Sequence, residues 1–308
     1  MPQPPLRVAC LGEAMVELSG LDPAAGTLRF GVAGDTLNTA IYLKRALGDA
    51  ARVSYLSALG CDAFSDRMIA FMEEEGLDTS GVARLPGRLP GIYAINLDER
   101  GERSFTYWRS ESAARSMLAP GGIDAAALDG FDLLFLSGIT LAILPPEHRT
   151  RLIGQCSRLK DSGRAIAFDT NHRPRLWSSE DEARAAFSLM WDATTIALPS
   201  RDDEARLHPG EEVPDLFDRL GRKGVREIAL KDGAAGPHLW EGGPLPRGDY
   251  PPAPRVVDTT AAGDGFNAGY LAARLQGRDV PQAAREAHAL AARIIGVRGA
   301  IVPRGQQS

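Results

Sequence analysis

The chain has 308 residues, of which 44% are hydrophobic and 24% charged, so it can bury one large core or a core with a small appendage. Its net charge of −5 argues against nucleic acid and anionic membranes as partners, because both require a basic surface. Its three cysteines, Cys10, Cys61 and Cys156, show no CxxC spacing and so suggest neither a disulfide framework nor a zinc site.

The N-terminal apolar run is too short for a signal peptide, and no stretch reaches the roughly 18 apolar residues of a membrane span. Together with the cysteine pattern, this predicts a soluble cytoplasmic protein. We expect its partner to be a small molecule.

Apolar, β-branched runs alternate with helical patterns along most of the chain. Strands are predicted at residues 7–12, 51–60, 131–138, 164–169, 194–200 and 225–231, with a strand end at 256–257. Helices are predicted at residues 36–47, 149–163, 213–224 and 281–295. Such alternation predicts an α/β fold with buried parallel strands.

Two segments break this alternation, at residues 14–33 and 90–110. The second is typical of a hairpin, with GIYAINL and SFTYWR on either side of a DERGER turn at residues 98–103. We interpret the two segments as a small separate β-sheet. Its exposed edge and apolar face favour assembly into a homo-oligomer.

The segment GVAGDTLNTAIYL turns through Gly34 into a helix, with Asp35 near the N-cap and Asn38 in the first turn. These groups can present an amide, a carboxylate and a backbone N–H to substrate hydroxyls. An ordinary capped helix is the alternative.

On the second strand of the predicted hairpin, the period of two places Phe105, Tyr107 and Arg109 on one face. A guanidinium beside an aromatic ring suits a substrate carboxylate, which it can bind in a planar, bidentate way. Tyr93 on the neighbouring strand can close the same pocket. A solvated hairpin with a cross-strand aromatic pair is the alternative.

The polar sequence DTNHRPRLW follows a predicted strand at the edge where open α/β sheets bind ligands. Asn171 and Arg173 are candidates to meet phosphate oxygens, with Arg173 as a charge clamp. Further along, Lys231 ends a strand and opens a loop with Gly233 and Gly236, whose exposed amides can surround a nucleotide. This loop lacks the order of a P-loop, and a simple turn is its alternative.

The most informative segment is VDTTAAGDGFNAGYL at residues 257–271. Helical spacing after Asp264 puts the small residues Ala261, Ala262 and Gly263 at a helix N-terminus, where unpaired N–H groups attract anions. Asp264 is then placed to accept a proton from an attacking hydroxyl. A plain helix N-cap is the alternative.

The sequence DTTAAGD resembles the C-terminal signature of the ribokinase-like (PfkB) carbohydrate kinases, usually DT(T/V)GAGD, with Ala261 in place of a glycine. GDTLNTA, YWR and DTNHRPRLW resemble the acid-sugar branch of this family, the 2-keto-3-deoxygluconate kinases, although Ala33 replaces the first glycine of the usual GGDxxN. The resemblance runs from about residue 12 to about residue 303. It implies one three-layer α/β/α domain over residues 1–308, with a mostly parallel central sheet and the small sheet as a lid.

The resemblance also implies roles for the residues. It makes Asp264 the general base, with Arg173, Ala262 and Gly263 assisting catalysis; Gly34, Asp35, Asn38, Tyr93, Tyr107 and Arg109 would bind the acid sugar. ATP would contact Asn171, Lys231, Gly233, Gly236 and the 261–263 backbone. In the sequence SRDDE, where Ser200 replaces the family's asparagine, Asp203 or Glu204 would place Mg²⁺ through water. Asp258 and Thr260 would hold a monovalent cation such as K⁺.

Two other functions stay open. One is a kinase of a neutral sugar such as fructose or ribose, and the other is a sugar-binding protein without turnover. A dinucleotide oxidoreductase is disfavoured, since no GxGxxG follows the first strand.

Overall fold

The structure is a computed structural model that describes residues 5–22, 25–97 and 103–304. Within these ranges the strands are β1 (Leu6–Leu11), β2 (Met15–Asp22), β3 (Thr27–Ala33), β4 (Ala51–Leu59), β5 (Val82–Arg84), β6 (Gly91–Leu97), β7 (Arg103–Trp108), β8 (Leu133–Ser137), β9 (Ala165–Asp169), β10 (Ile196–Ala197), β11 (Glu227–Leu230) and β12 (His238–Glu241). The α-helices are α1 (Asp35–Leu47), α2 (Ala63–Glu74), α3 (Gly138–Ile143), α4 (Pro146–Asp161), α5 (Glu180–Asp192), α6 (Arg201–Leu207), α7 (Val213–Arg222), α8 (Ala262–Leu275) and α9 (Val280–Ile294). Over the same ranges, no helix combines the length and apolar character that a membrane span requires.

The central sheet has the strand order β12-β11-β10-β9-β8-β1-β4-β5. Its pairs are parallel except for β11 with β12 at one edge. Side chains of β1 alternate between two buried clusters, with Val8 and Cys10 facing α1, α8 and α9, and Ala9 and Leu11 facing α4, α5 and α7. Helices therefore cover both faces of the sheet, which confirms the predicted three-layer α/β/α fold.

The lid is a second, four-stranded sheet with the order β3-β2-β6-β7. Strands β2 and β3 form one antiparallel pair, β6 and β7 form another, and β2 joins β6 in parallel. Both predicted lid segments thus fold into one sheet. Residues 98–102 of the predicted DERGER turn lie outside the described residues.

Some local predictions differ from the structure. The strand end predicted at 256–257 is wrong: Val256 is exposed, and the N–H groups of Val257 and Asp258 donate to the Ile295 carbonyl at 2.7 and 3.1 Å, so this segment is fastened to the end of α9. Helix α5 was not predicted, although Ser179 caps it by accepting from the Glu182 N–H at 3.1 Å, the S-x-x-E signature of a helix start.

Candidate active site

The candidate residues gather between the lid and the carboxyl edge of the central sheet. Helices α1 and α8 both begin there and pack against each other, and β9 ends there at Asp169. Open α/β sheets bind ligands at this edge, because the loops that follow parallel strands converge on it. The fold therefore brings together segments that lie more than 200 residues apart in sequence.

Asp264 lies in the first turn of α8 and faces the start of α1. Asn38 Nδ2 donates to Asp264 Oδ2 at 2.8 Å, and the Thr39 hydroxyl donates to the Asp264 carbonyl at 3.3 Å. Burial raises the pKa of the Asp264 carboxyl to about 8, and the negative charge of Asp35 adds to the rise. A carboxyl with a pKa near neutrality is suited to proton transfer.

The backbone before Asp264 is the predicted anion-binding segment at the start of α8. Ala261 caps α8 with φ of 61°, in the left-handed region, and its side chain makes no cap hydrogen bond. Of the predicted anion-binding amides, the Ala262 N–H donates to the Thr259 carbonyl at 3.2 Å and is partly engaged. Because the α8 cap is an alanine, it offers the following N–H groups at the helix start no side-chain acceptor.

A second cluster joins Lys231 to two residues that the sequence analysis missed. Lys231 Nζ donates to Asp169 Oδ2 at 2.6 Å and to Asn267 Oδ1 at 3.0 Å, while Asn267 Nδ2 donates to the same Asp169 oxygen at 2.6 Å. A Cβ atom added at Gly263 would lie 3.7 Å from Lys231 Nζ, so the ammonium group lies beside the start of α8. Asn267 follows Asp264 by one helical turn, which is the signal that could have found it.

Asp35 pairs with Asn171, whose Nδ2 donates to Asp35 Oδ2 at 2.7 Å. Asn171 has φ of 32° and is, with Ala261, one of the two non-glycine residues in the described chain with positive φ. Asn171 was predicted to meet phosphate, but its amide instead faces the carboxylate on α1.

Gly34 has no room for a side chain, since a Cβ there would lie 2.2 Å from the Glu13 carbonyl oxygen.

Of the residues predicted to bind the sugar from the lid, Tyr93 lies on β6 and Tyr107 on β7, and Arg109 directly follows β7. Tyr93 and Tyr107 are opposite each other in the β6–β7 register, with ring centroids 5.9 Å apart. Two acidic residues that the sequence analysis did not single out engage this group: the Tyr93 hydroxyl donates to Glu17 Oε2, and Arg109 Nη2 donates to Glu13 Oε2. The predicted carboxylate reader therefore already has a carboxylate partner within the chain.

Arg173 lies on the exposed rim, where its Nη1 donates to the His172 carbonyl at 3.1 Å. The structure does not bring it into hydrogen-bond contact with Asp264. Asp203 accepts the His172 N–H at 3.1 Å, and burial, followed by the charge of Asp169, raises its pKa.

Glu204 does not fit its predicted role in placing magnesium. Its oxygens accept from the Thr170 hydroxyl at 2.6 Å and from Arg219 Nη2 at 2.7 Å, so they serve the packing of α6 against α7. In the part of the chain that the structure describes, no group of three or more acidic, histidine or cysteine residues is arranged to hold a metal ion.

The remaining predicted residues border the site. Gly233 and Gly236 have positive φ, at 50° and 77°, in the loop after Lys231. Asp258 accepts the N–H groups of Thr260 at 3.0 Å and Gly299 at 2.7 Å, so its carboxylate fastens the loop before α8 to the C-terminal segment.

Comparison with known proteins agrees with this architecture. Residues 6–306 match the pfkB family carbohydrate kinase profile. The chain is 42% identical over 306 residues to a 2-dehydro-3-deoxygluconokinase of Dickeya dadantii, with 96% of each chain covered, and 41% identical over 308 residues to one of Escherichia coli K12, with 97% of each covered. A fructokinase structure from Xylella fastidiosa with bound ATP superposes with a TM-score of 0.81 at 21% identity, covering 96% of this chain and 93% of the other. The chain belongs to the pfkB family of carbohydrate kinases.

Proposed function

We propose that this carbohydrate kinase transfers the γ-phosphate of Mg²⁺-ATP to the terminal hydroxyl of 2-keto-3-deoxygluconate, which is also named 2-dehydro-3-deoxygluconate. Relatives at 41 and 42% identity carry the name of that activity. The observation on which the proposal rests is the combination of Asp264, whose pKa is raised, with Arg109, which follows β7 of the lid and is paired with Glu13.

In the proposed mechanism, Asp264 accepts the proton of the attacking hydroxyl. Its raised pKa makes it a stronger base than an ordinary aspartate. The Asn38 amide donates to Oδ2 of Asp264 and so fixes the orientation of the carboxylate. The N–H groups at the start of α8 stabilise the charge that develops on the transferring phosphoryl group. Most of the catalytic effect in phosphoryl transfer comes from positioning and electrostatics of this kind.

The nucleotide is proposed to bind beside Lys231 and the loop that contains Gly233 and Gly236. Lys231 is held by Asp169 and Asn267, so its ammonium group is fixed in place before any phosphate arrives. The side chain of Arg173 on the exposed rim can turn toward the phosphates, because the hydrogen bond that it makes within the described chain is to a backbone carbonyl of the neighbouring residue.

Asp203 is the residue that fits Mg²⁺, through a bridging water. Burial, followed by the charge of Asp169, raises the pKa of its carboxyl, and a cation bound beside it would favour the charged carboxylate. Magnesium is usually held by one or two carboxylates together with the phosphates and waters, so a preformed cage is not required. When bound, the ion neutralises phosphate charge.

The lid is proposed to select the acid sugar. Arg109 retains donors beyond the one that contacts Glu13, and the Tyr107 ring lies 5.9 Å from its guanidinium carbon, which fixes the plane of the group. A planar guanidinium held in this way suits a carboxylate, whereas a neutral sugar has no use for it.

The test is ADP release by the purified protein with Mg²⁺-ATP and 2-keto-3-deoxygluconate, fructose or ribose at matched concentrations. We expect kcat/KM for the acid sugar to exceed that for either neutral sugar by at least about 10²-fold, the size of discrimination that a buried charged group gives. Turnover of a neutral sugar alone would refute the acid-sugar assignment.

A kinase of a neutral sugar is the second candidate, and one observation favours it. The charge of Arg109 is already balanced by Glu13, so a neutral acceptor would leave no unpaired charge in the cleft. The same assay separates the two candidates.

A further inference from the structure

The ion pair between Glu13 and Arg109 joins the central sheet to the lid. Glu13 follows β1, and Arg109 follows β7. The Glu13 side chain is 1% exposed and the Arg109 side chain 11% exposed. Such a buried pair is strongly coupled, since the loss of either partner leaves the other charge uncompensated.

The Glu13 carboxylate is closely surrounded, whereas the Arg109 guanidinium keeps N–H groups that Glu13 does not use. A Cβ atom at Gly91 would lie 2.7 Å from Glu13 Oε1, so the glycine gives the carboxylate its space. Arg109 Nη2 contacts Glu13, while Arg109 Nε is buried and has no hydrogen-bond partner among the described residues. Glu13 therefore holds the guanidinium without using all of its N–H groups.

The charges of the ion pair predict that Glu13 and a substrate carboxylate compete for Arg109. A substrate carboxylate that approaches Arg109 meets a guanidinium whose charge Glu13 already balances, and it is repelled by Glu13 itself. Asp35 lies close enough to Glu13 for its charge to raise the Glu13 pKa, so further negative charge lies near the pair. The strength of acid recognition thus depends on Glu13 as well as on Arg109.

We propose that Glu13 is a positioning and specificity-setting residue: it holds Arg109 in the cleft through one N–H and, by its negative charge, limits how strongly Arg109 favours an acid sugar over a neutral one. This inference rests on the proposed function, since it takes Arg109 as the reader of the substrate carboxylate. It assigns Glu13 no part in the phosphoryl transfer.

A dependence on pH follows from the groups that face Glu13. They are Arg109 after β7, Asp35 on α1, the Ser112 hydroxyl and the buried Tyr55 on β4, whose pKa is raised so far that it stays neutral. Burial raises the pKa of Glu13, Arg109 opposes that rise, and Asp35 adds to it. When Glu13 takes up a proton at lower pH, it no longer competes, and the acid sugar binds Arg109 more tightly.

The test compares Glu13→Gln with the wild type. Glutamine keeps an oxygen that accepts from Arg109 but removes the competing charge, so we expect KM for 2-keto-3-deoxygluconate to fall by about 5-fold or more. Both kcat and the inhibition constant of fructose, a neutral competitor, should change less than this KM. An unchanged or higher KM for the acid sugar would overturn the inference.

Glu75→Gln is the matched control. Glu75, which caps the C-terminus of α2, also pairs with a buried arginine, Arg45 near the end of α1, at 2.8 Å, with side-chain exposures of 11% and 9%. It contacts the more exposed Arg304 as well, at 3.3 Å, and lies away from the start of α1, where the candidate site is. It should lower stability and leave both sugar constants unchanged. A fall in acid-sugar KM in this control as well would overturn the specific role of Glu13.

A second measurement applies if the Glu13 variant does not fold. In the wild type, the ratio of the acid-sugar KM to the fructose inhibition constant should fall as the pH is lowered from 8 to the ordinary glutamate pKa of 4.5, above which the pKa of Glu13 is raised, and a ratio that stays flat or rises would refute the inference. The ratio cancels effects of Asp264, which serves both sugars. Failure of the proposed function looks different, because the wild type would then show no preference for the acid sugar at any pH.

Discussion

The two sides of the cleft bury their carboxylates in opposite ways. On the sheet side, Asp264 is held by the neutral amide of Asn38 and faces the like charge of Asp35, so its pKa rises to about 8. Where the central sheet meets the lid, Glu13 is 1% exposed and is paired with Arg109. Burial raises the pKa of both acids, but the first group to oppose the rise is the cationic Arg109 at Glu13 and the neutral Asn38 amide at Asp264, where Lys231 contributes less.

This difference separates chemistry from recognition. A buried acid that lacks a close counter-ion changes its protonation state near neutral pH, which a general base requires. A buried acid with a counter-ion fixes the position of a charged donor instead. The proposed mechanism accordingly assigns proton transfer to Asp264 at the start of α8 and selection among sugars to Arg109 and Glu13, where the lid meets the central sheet.

The largest expected effect comes from Asp264→Asn. Asparagine keeps the size of the side chain and an oxygen for the Asn38 amide, but it cannot accept the hydroxyl proton, so kcat should fall by about 10² to 10⁴-fold. ADP release at saturating ATP and sugar measures the loss. A variant with nearly wild-type kcat would remove Asp264 from the mechanism.

Arg109→Ala should damage the lid through Glu13. The substitution leaves a buried carboxylate without its partner, which costs on the order of 3 to 5 kcal/mol and lowers Tm by on the order of 5 to 10 °C. Differential scanning calorimetry measures this change. In the double variant Arg109→Ala with Glu13→Gln, no charge is left unpaired, and most of the stability should return; a double variant as unstable as the single one would show that lost packing, not the unpaired charge, is responsible.

Asp264→Asn should at the same time stabilise the fold, in a way that depends on pH. The pKa of Asp264 is raised from its ordinary value of 3.8 to about 8, so the folded protein holds this proton to higher pH than the unfolded chain. Wild-type stability is accordingly greatest below the unfolded pKa and is lost as the pH rises through the folded one. The Tm advantage of the variant should grow from pH 4 to pH 8 and then level off. An advantage that shrinks with rising pH would contradict the raised pKa.

The smallest expected effect is that of Ala261→Gly. Alanine at φ of 61° is strained by about 1 to 2 kcal/mol, and glycine relieves this strain while adding freedom to the unfolded chain. The net gain should be below about 1 kcal/mol, with kcat changed by less than about 2-fold. A loss of Tm would mean that Ala261 makes contacts that outweigh its strain.

Much of the fold could be predicted because its signals are local. The apolar strand runs and the helices α1, α4, α7 and α9 carry their periodicity in sequence, and the start of α8 is marked by small residues before Asp264. The false strand at 256–257 shows the limit of such signals. Two valines favour an extended backbone, but the N–H groups of this segment are bound by the end of α9, which no local pattern records.

The candidate site was predictable where its residues lie in local sequence motifs. Asp264, Asn38 and Lys231 lie in motifs, whereas Asp169, Asn267 and Glu13 became visible only through the side chains that they contact on distant segments. Asp169 opens the DTNHRPRLW sequence, yet only its hydrogen bonds to Lys231 and Asn267 show that it orients the cation beside α8. Residue type and spacing do not reveal which charges the fold pairs.

The most direct test of the division between the two sides is the ratio of kcat/KM for 2-keto-3-deoxygluconate to that for fructose, measured in the wild type and in Arg109→Ala and Asp264→Asn. The account predicts that Asp264→Asn lowers both values by a similar factor and leaves the ratio unchanged, while Arg109→Ala lowers the ratio by at least about 10²-fold. A ratio that Arg109→Ala does not change, or that Asp264→Asn lowers as much, would contradict it.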